Sequence, residues 1–113
     1  MKKKQLSELL DGHDIRKVDS GIIYKIVDEN IKDISKEDFE KAIEILPWQA
    51  QVKLMKKRCV EAKDKMACIA YDLAINGDPS APAGTPKNIG LKGLALEENN
   101  RFARELLSEL GEI

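Results

Sequence analysis

The clearest hydrophobic pattern lies in the second half of the chain, where apolar residues recur at alternating steps of three and four. The stripe comprises Val52, Met55, Cys59, Ala62, Met66, Ile69 and Leu73. Three uninterrupted heptads of this kind are typical of a single amphipathic helix. Trp48 extends the stripe at its start, while Gly77 and Pro79 can end it. The pattern therefore predicts one continuous helix of about 29 residues.

The same criterion predicts three further helices. A short first helix is indicated by Leu6, Leu9 and Leu10. Ser35 resembles the start of a capping box, and apolar residues at helical spacing follow it: Phe39, Ala42, Ile43 and Leu46. Pro47 ends or kinks that helix. A last helix is expected from about Leu94 to Leu110, with Gly111 after it.

Residues 15–34 fit two structures. The β-branched and aromatic run from Ile22 to Val27 follows a short turn that ends in Gly21, which favours a hairpin or a three-stranded meander. The competing interpretation caps a helix at Ser20 and places one apolar face on Ile23, Val27, Ile31 and Ile34. We predict strands here. The expected fold is therefore helix-dominated α+β, with the long and C-terminal helices antiparallel, and all-α is the alternative.

Residues 77–93 differ in composition from the rest of the chain. They hold three of the four prolines and four of the seven glycines, a composition unfavourable to helices. We predict a mobile surface loop here, within one domain covering residues 1–113, since 113 residues match the usual size of a single domain.

Composition and charge narrow the class of protein. The chain is 42% hydrophobic and 35% charged, which argues against wholesale disorder. Its 19 basic and 20 acidic residues exclude a wholly basic surface. The longest apolar run, from Met66 to Tyr71, is far shorter than the roughly 20 residues that span a bilayer. Polar residues Gln5, Ser7 and Glu8 stand where a signal peptide needs its apolar core. We expect a cytoplasmic protein with no membrane partner.

Few residues are suited to catalysis or metal binding. His13 is the single histidine, and it lies beside turn carboxylates. Cys59 and Cys68 are nine residues apart, which places them on opposite faces of one helix. They are therefore expected not to pair and to be reduced core thiols, so a zinc site lacks ligands. We predict a protein that is not an enzyme and holds no metal or cofactor.

Positive charge concentrates on the first half of the long helix. Residues 47–65 carry six basic and two acidic groups. The candidate phosphate contacts are Lys53, Lys56, Lys57 and Lys63, with Lys87 and Lys92 in the Gly-rich segment ahead of the last helix. The candidate interaction seam on the same helix consists of Trp48, Val52, Met55, Cys59 and Ala62.

Three interpretations of this helix remain open. The seam could pair with a second copy or with a partner protein, the basic flanks acting as e and g positions. The lysines could instead contact a nucleic acid or a nucleotide phosphate. In the third interpretation, this half of the helix has no binding role and is a solvated face of a core helix in a monomeric protein. We favour a small non-enzymatic interaction or regulatory protein that self-associates or binds a partner, and no motif is specific enough to name a family.

Overall fold

The computed structural model describes residues 5–113 and contains helices but no strand within them. A 3-10 turn at Ile15–Lys17 lies between the first two of eight α-helices. These are α1 (Leu6–Leu9), α2 (Ser20–Glu29), α3 (Lys36–Ile45), α4 (Trp48–Ala62), α5 (Lys65–Asn76), α6 (Pro86–Ile89), α7 (Leu91–Ala95) and α8 (Arg101–Glu109). The all-α alternative is confirmed, and the predicted N-terminal β-hairpin is wrong.

Helix α2 forms where strands were predicted because the polar residues before it cap a helix. The carboxylate of Asp19 accepts a hydrogen bond from the backbone N–H of Gly21 at 2.8 Å. This satisfies one of the first-turn donors that have no partner within a helix. The residues at helical spacing that follow are all buried: Ile23, Val27, Ile31 and Ile34. Burial of this face outweighs the β propensity of the run.

The predicted long helix is broken in two. Lys63 adopts the left-handed conformation, with φ 53° and ψ 34°, and ends α4. Asp64 then starts α5, because its side chain accepts hydrogen bonds from the backbone N–H groups of Met66 and Ala67 at 3.1 and 3.3 Å. The two helices fold back on each other as a hairpin, which has the most extensive helix–helix contact in the described part of the chain. The prediction of one continuous helix is therefore wrong.

The break also reverses the expectation for the cysteines. Cys59 on α4 and Cys68 on α5 form a disulfide bond, with their Cα atoms 4.7 Å apart. The two cysteines would lie on opposite faces only if α4 and α5 were a single straight helix. Once the chain turns at Lys63, both side chains point into the hairpin, so the prediction of reduced, unpaired thiols is wrong.

Helix α4 passes between two hydrophobic clusters. Leu54 belongs to the N-terminal cluster with Leu6, Leu10, Ile23, Val27, Ile31, Ile34, Phe39, Ala42, Leu46 and Ala67. Val52 belongs to the C-terminal cluster with Ile75, Leu91, Leu94, Ala103, Leu106, Leu107 and Leu110. Because α4 contributes to both, it ties the two halves of the molecule together.

Residues 77–93 are built into the second cluster. They contain α6 and the start of α7, and Leu91 is fully buried. Gly77 and Gly90 bring two backbone segments so close that a Cβ at Gly90 would lie 2.3 Å from the nitrogen of Gly77. The side-chain amide of Asn88 donates to the carbonyls of Asp78 and Ala81. The prediction of a segment without helices is wrong, and the last helix begins at Arg101 instead of near Leu94.

Among residues 5–113, none of the helices combines the length and the apolar character that a bilayer span requires.

Candidate functional site

The three lysines on one side of α4 are engaged within the molecule. Lys53 pairs with Glu109 on α8 at 2.6 Å, and Lys56 donates a hydrogen bond to the carbonyl of Leu110. Lys57 contacts both the carboxylate and the carbonyl of Asp28, at 2.7 and 2.9 Å. We call this surface of Lys53, Lys56 and Lys57 the lysine face. Its charges hold α4 to the ends of α2 and α8.

The hydrogen bond from Lys57 to Asp28 raises the pKa of the lysine, although partial burial acts in the opposite direction. The other three candidate phosphate contacts lie apart from the lysine face. Lys63 is exposed at the turn between α4 and α5, Lys87 lies on α6 and Lys92 on α7. Lys92 is within 3.9 Å of Glu112. The structure therefore does not bring the six predicted lysines together into one surface.

The five residues of the predicted seam also separate. Val52 is fully buried in the C-terminal cluster, and Cys59 is held in the disulfide. Trp48 packs near Phe102 of α8, with ring centroids 6.5 Å apart. Ala62 is half-buried at the end of α4. Met55 faces two open cavities that are lined by neighbouring helices, and Trp48 borders the smaller of them.

A buried arginine, which the sequence analysis did not single out, locks the hairpin. Arg58 is only 4% exposed and donates to the carbonyls of Ile31 and Ile34 at 2.6 and 2.7 Å. Its Nε donates to Asp64 at 3.1 Å, and its guanidinium lies 5.3 Å from the centre of the Phe39 ring. The signal in the sequence was its position, four residues after the buried Leu54 on the same helical face.

Burial raises the pKa of the Asp64 carboxyl, but hydrogen bonds outweigh that effect and the pKa is lowered from its ordinary value of 3.8. The donors are the Arg58 side chain and the first amides of α5. Asp64 is therefore charged in the folded protein at neutral pH. Arg58 and Asp64 form a buried ion pair whose polar atoms are satisfied, which is the arrangement of a structural contact.

The opposite side of the hairpin carries an open apolar groove. It consists of two adjoining cavities of about 280 and 180 Å³ that share Met55 and Ala70. The larger cavity lies between α3 and α5 and is lined by Phe39, Glu40, Ile43, Glu44, Met55, Asp64, Met66, Ala67 and Ala70. The smaller continues beside Trp48, Gln51, Met55, Ala70, Leu73, Ala74, Asp78 and Lys87. We call these two cavities together the groove.

Helix α5 forms one wall of the groove because it has apolar residues on more than one side. Ala67 and Ile75 are buried in the two clusters, whereas Met66 and Ile69 are 51% and 44% exposed. Met66, Ile69, Ala70 and Leu73 follow the spacing of one helical face. Ala67, Ala70 and Ala74 have short side chains, which leave the depth that larger residues would fill.

Helix α3 forms the opposite wall, and its charge is acidic. Glu40 and Glu44 lie four residues apart on either side of Ile43, and all three line the groove. Neither carboxylate forms an ion pair with any residue in the range 5–113. Like charges at this spacing repel each other. Carboxylates at this spacing occur on many solvated helix faces, so the sequence alone does not distinguish Glu40 and Glu44.

No group of three or more His, Cys, Asp or Glu residues suited to a metal ion occurs within residues 5–113. His13 is exposed next to Asp14, whose carboxylate is bound to Arg16. Within the part of the chain that the structure describes, the lining of the groove contains carboxylates but no His, Cys or Ser.

No family model matches the chain, and searches of curated proteins and of solved structures find no match to it.

Proposed function

We propose that this protein is a non-enzymatic interaction module that binds a helical segment of a partner protein in the groove. The observation that carries the proposal is the groove itself, an open and largely apolar surface that is lined by the 51% exposed Met66. Ile69, which is 44% exposed, extends the same face of α5 beside it. Exposed apolar surface of this kind is typical of protein interaction sites. Methionine side chains such as Met55 and Met66 adapt to different partners.

The shape of the groove fits a helix. The α5 wall runs from Met66 to Ala74, which at the helical rise corresponds to roughly 12 Å. About two turns of a partner helix cover that length, with apolar side chains at i, i+3, i+4 and i+7 as anchors.

A different protein suits the groove better than a second copy of this chain or a nucleic acid. A two-fold symmetric dimer through this surface would bring Glu40 and Glu44 of both copies to one interface. A nucleic acid would bring phosphates to the same carboxylates, while the lysine face is already occupied by internal contacts. We therefore propose partner binding in preference to self-association or phosphate binding.

A matched pair of variants tests the proposed surface. Met66→Glu places a charge on the groove, and Val60→Glu places one on an apolar residue that is 65% exposed outside the groove. The probe is a labelled amphipathic peptide of about 18 residues with Leu and Ile anchors at helical spacing and Gln elsewhere. Fluorescence anisotropy measures its Kd.

We expect micromolar binding to the unaltered protein, a loss of at least about tenfold in Met66→Glu because the charge must be desolvated, and little change in Val60→Glu. Equal loss in both variants, or no binding up to millimolar concentration, contradicts the proposal. Light scattering on the free protein adds a separate check. A dimer that Met66→Glu dissociates and Val60→Glu leaves intact would make a second copy the occupant.

A further inference from the structure

We infer that the helix bound in the groove is basic along one side, with Lys or Arg residues that face α3. This inference rests on the function proposed above and names the chemistry of the partner. It goes beyond the apolar anchors, which fix only where a helix can lie. The charge of the walls determines which helix is accepted and how it is rotated about its own axis.

The two walls of the groove differ in charge. The α3 wall presents Glu40 and Glu44, and the α5 wall is uncharged along the residues that line the cavities, namely Met66, Ala67, Ala70, Leu73 and Ala74. Asp64 also lines the larger cavity, but its charge is paired with Arg58. The negative charge that a partner meets is therefore concentrated on one side of the apolar channel.

The two carboxylates are spaced to contact a helix. Residues four apart on a helix have Cβ atoms about 6 Å from each other, and a partner helix that lies alongside α3 presents its own i, i+4 pair at the same interval. Two cations on that pair would neutralise Glu40 and Glu44 together and relieve the repulsion between them. An acidic or uncharged flank would leave the repulsion in place.

Among the described residues, one lysine lines the groove, and it lies at the far end. Lys87 borders the smaller cavity next to Asp78, whose carboxyl pKa is lowered by hydrogen bonds from Ser80 and, to a lesser degree, by the charge of Lys87. Lys87 therefore faces an acidic neighbour of its own chain and does not offset the carboxylates of α3. The larger cavity has no cationic residue in its lining within the described chain.

Three peptides with identical apolar anchors test the inference. They differ only in the residues beside the anchors on one side, which are Lys in the first, Gln in the second and Glu in the third. Each is measured against the unaltered protein and against Glu40→Gln with Glu44→Gln. The control protein is Glu97→Gln with Glu98→Gln, which changes the net charge by the same amount on exposed residues between α7 and α8.

We expect the Lys peptide to bind about fivefold more tightly than the Gln peptide, because two exposed ion pairs of ordinary strength contribute about that factor to the affinity. The Glu peptide should bind most weakly. In Glu40→Gln with Glu44→Gln, the Lys and Gln peptides should bind alike and the Gln peptide should keep its affinity. The control protein should keep the fivefold preference. High salt should reduce the preference without abolishing binding.

The outcomes separate the inference from the function on which it rests. If all three peptides bind the unaltered protein equally and Met66→Glu still weakens them, the inference is wrong and the groove remains a helix site. A preference for the Lys peptide that persists in Glu40→Gln with Glu44→Gln also overturns it. If none of the peptides binds, the proposed function itself is wrong.

Discussion

The two sides of the α4–α5 hairpin use charge in opposite ways. On the lysine face, Lys53, Lys56 and Lys57 each contact an oxygen of the same chain. On the side of the groove, Glu40 and Glu44 have no ion-pair partner within the described residues, and the apolar surface beside them is open.

This difference separates residues that build the fold from residues available for binding. A cluster of lysines in a sequence suggests a phosphate site, yet here the lysines form contacts that hold neighbouring helices together. The groove has no distinctive signal in the sequence, because alanines and scattered glutamates are common on any helix. Substitutions that remove contacts within the molecule, such as those of the lysine face, should lower stability. Substitutions in the groove should lower binding and leave stability nearly unchanged.

The largest loss of stability is expected for Arg58→Met, which removes the buried cation. Asp64 would keep its charge with no cation opposite it, and the carbonyls of Ile31 and Ile34 would lose their donor. The free energy of unfolding should fall by about 3 kcal/mol. Urea unfolding followed by circular dichroism measures it. A loss below about 1 kcal/mol would show that Arg58 does not lock the hairpin.

A smaller loss is expected when the disulfide is removed. Cys59→Ser with Cys68→Ser should lower the free energy of unfolding by about 2–3 kcal/mol, because the closed loop between the two residues is short. A reductant should destabilise the unaltered protein by a similar amount and leave the double variant unchanged. Two free thiols in the protein unfolded without reductant would contradict the bond and would favour the predicted cytoplasmic location.

Asp64→Asn should affect stability in a pH-dependent way. Asparagine keeps the cap of α5 but loses the charge opposite Arg58, so about 1 kcal/mol should be lost at neutral pH. Because the pKa of Asp64 is lowered on folding, its contribution is present above the ordinary value of 3.8 and is lost as the pH falls through the folded pKa.

The measurement is urea unfolding at a series of pH values from neutral to acidic. The unaltered protein should lose more stability below about pH 4 than the asparagine variant does, since only the former has this carboxylate to protonate. Parallel acid profiles of the two proteins would show that Asp64 is not held by its hydrogen bonds.

The smallest effect is expected on the lysine face. Lys57→Met should cost about 0.5 kcal/mol because its pair with Asp28 is partly exposed, and the loss should shrink in high salt. Lys63→Met is the matched control, since Lys63 is exposed at the turn and forms no ion pair within the described chain. Thermal unfolding of both variants at two salt concentrations distinguishes them. Equal losses of stability in the two variants would mean that the ion pairs of the lysine face do not stabilise the fold.

Local signals in the sequence predicted much of the helical content. The cap at Ser35 and the stop at Pro47 enclose α3 as expected, and the helical spacing of Ile23, Val27, Ile31 and Ile34 matches the buried face around α2. These features depend on residues within one or two turns of each other. The prediction of strands for residues 15–34 was wrong because the same β-branched residues are compatible with a strand and with a helix. The sequence alone does not show which of their faces is buried.

The groove could be predicted only in part. Met55, Met66 and Leu73 belong to the apolar stripe that the sequence shows, and all three line the groove. The role of Glu40 and Glu44 could not be read from the sequence, because it depends on α3 lying beside α5. That neighbourhood arises only after the chain reverses between α4 and α5.

The sequence by itself determined where helices can form, because caps, prolines and apolar spacing act over short distances along the chain. The tertiary structure alone decided that the stripe from Val52 to Leu73 breaks at Lys63. Asp64 is compatible with a helix interior and with a cap, and the cap prevails because folding back pairs Arg58 with Asp64 and packs Ala67 and Ile75 of α5 into the two clusters. The disulfide, the pairing of Arg58 with Asp64 and the groove all follow from that reversal, since each joins residues that a continuous helix would hold apart.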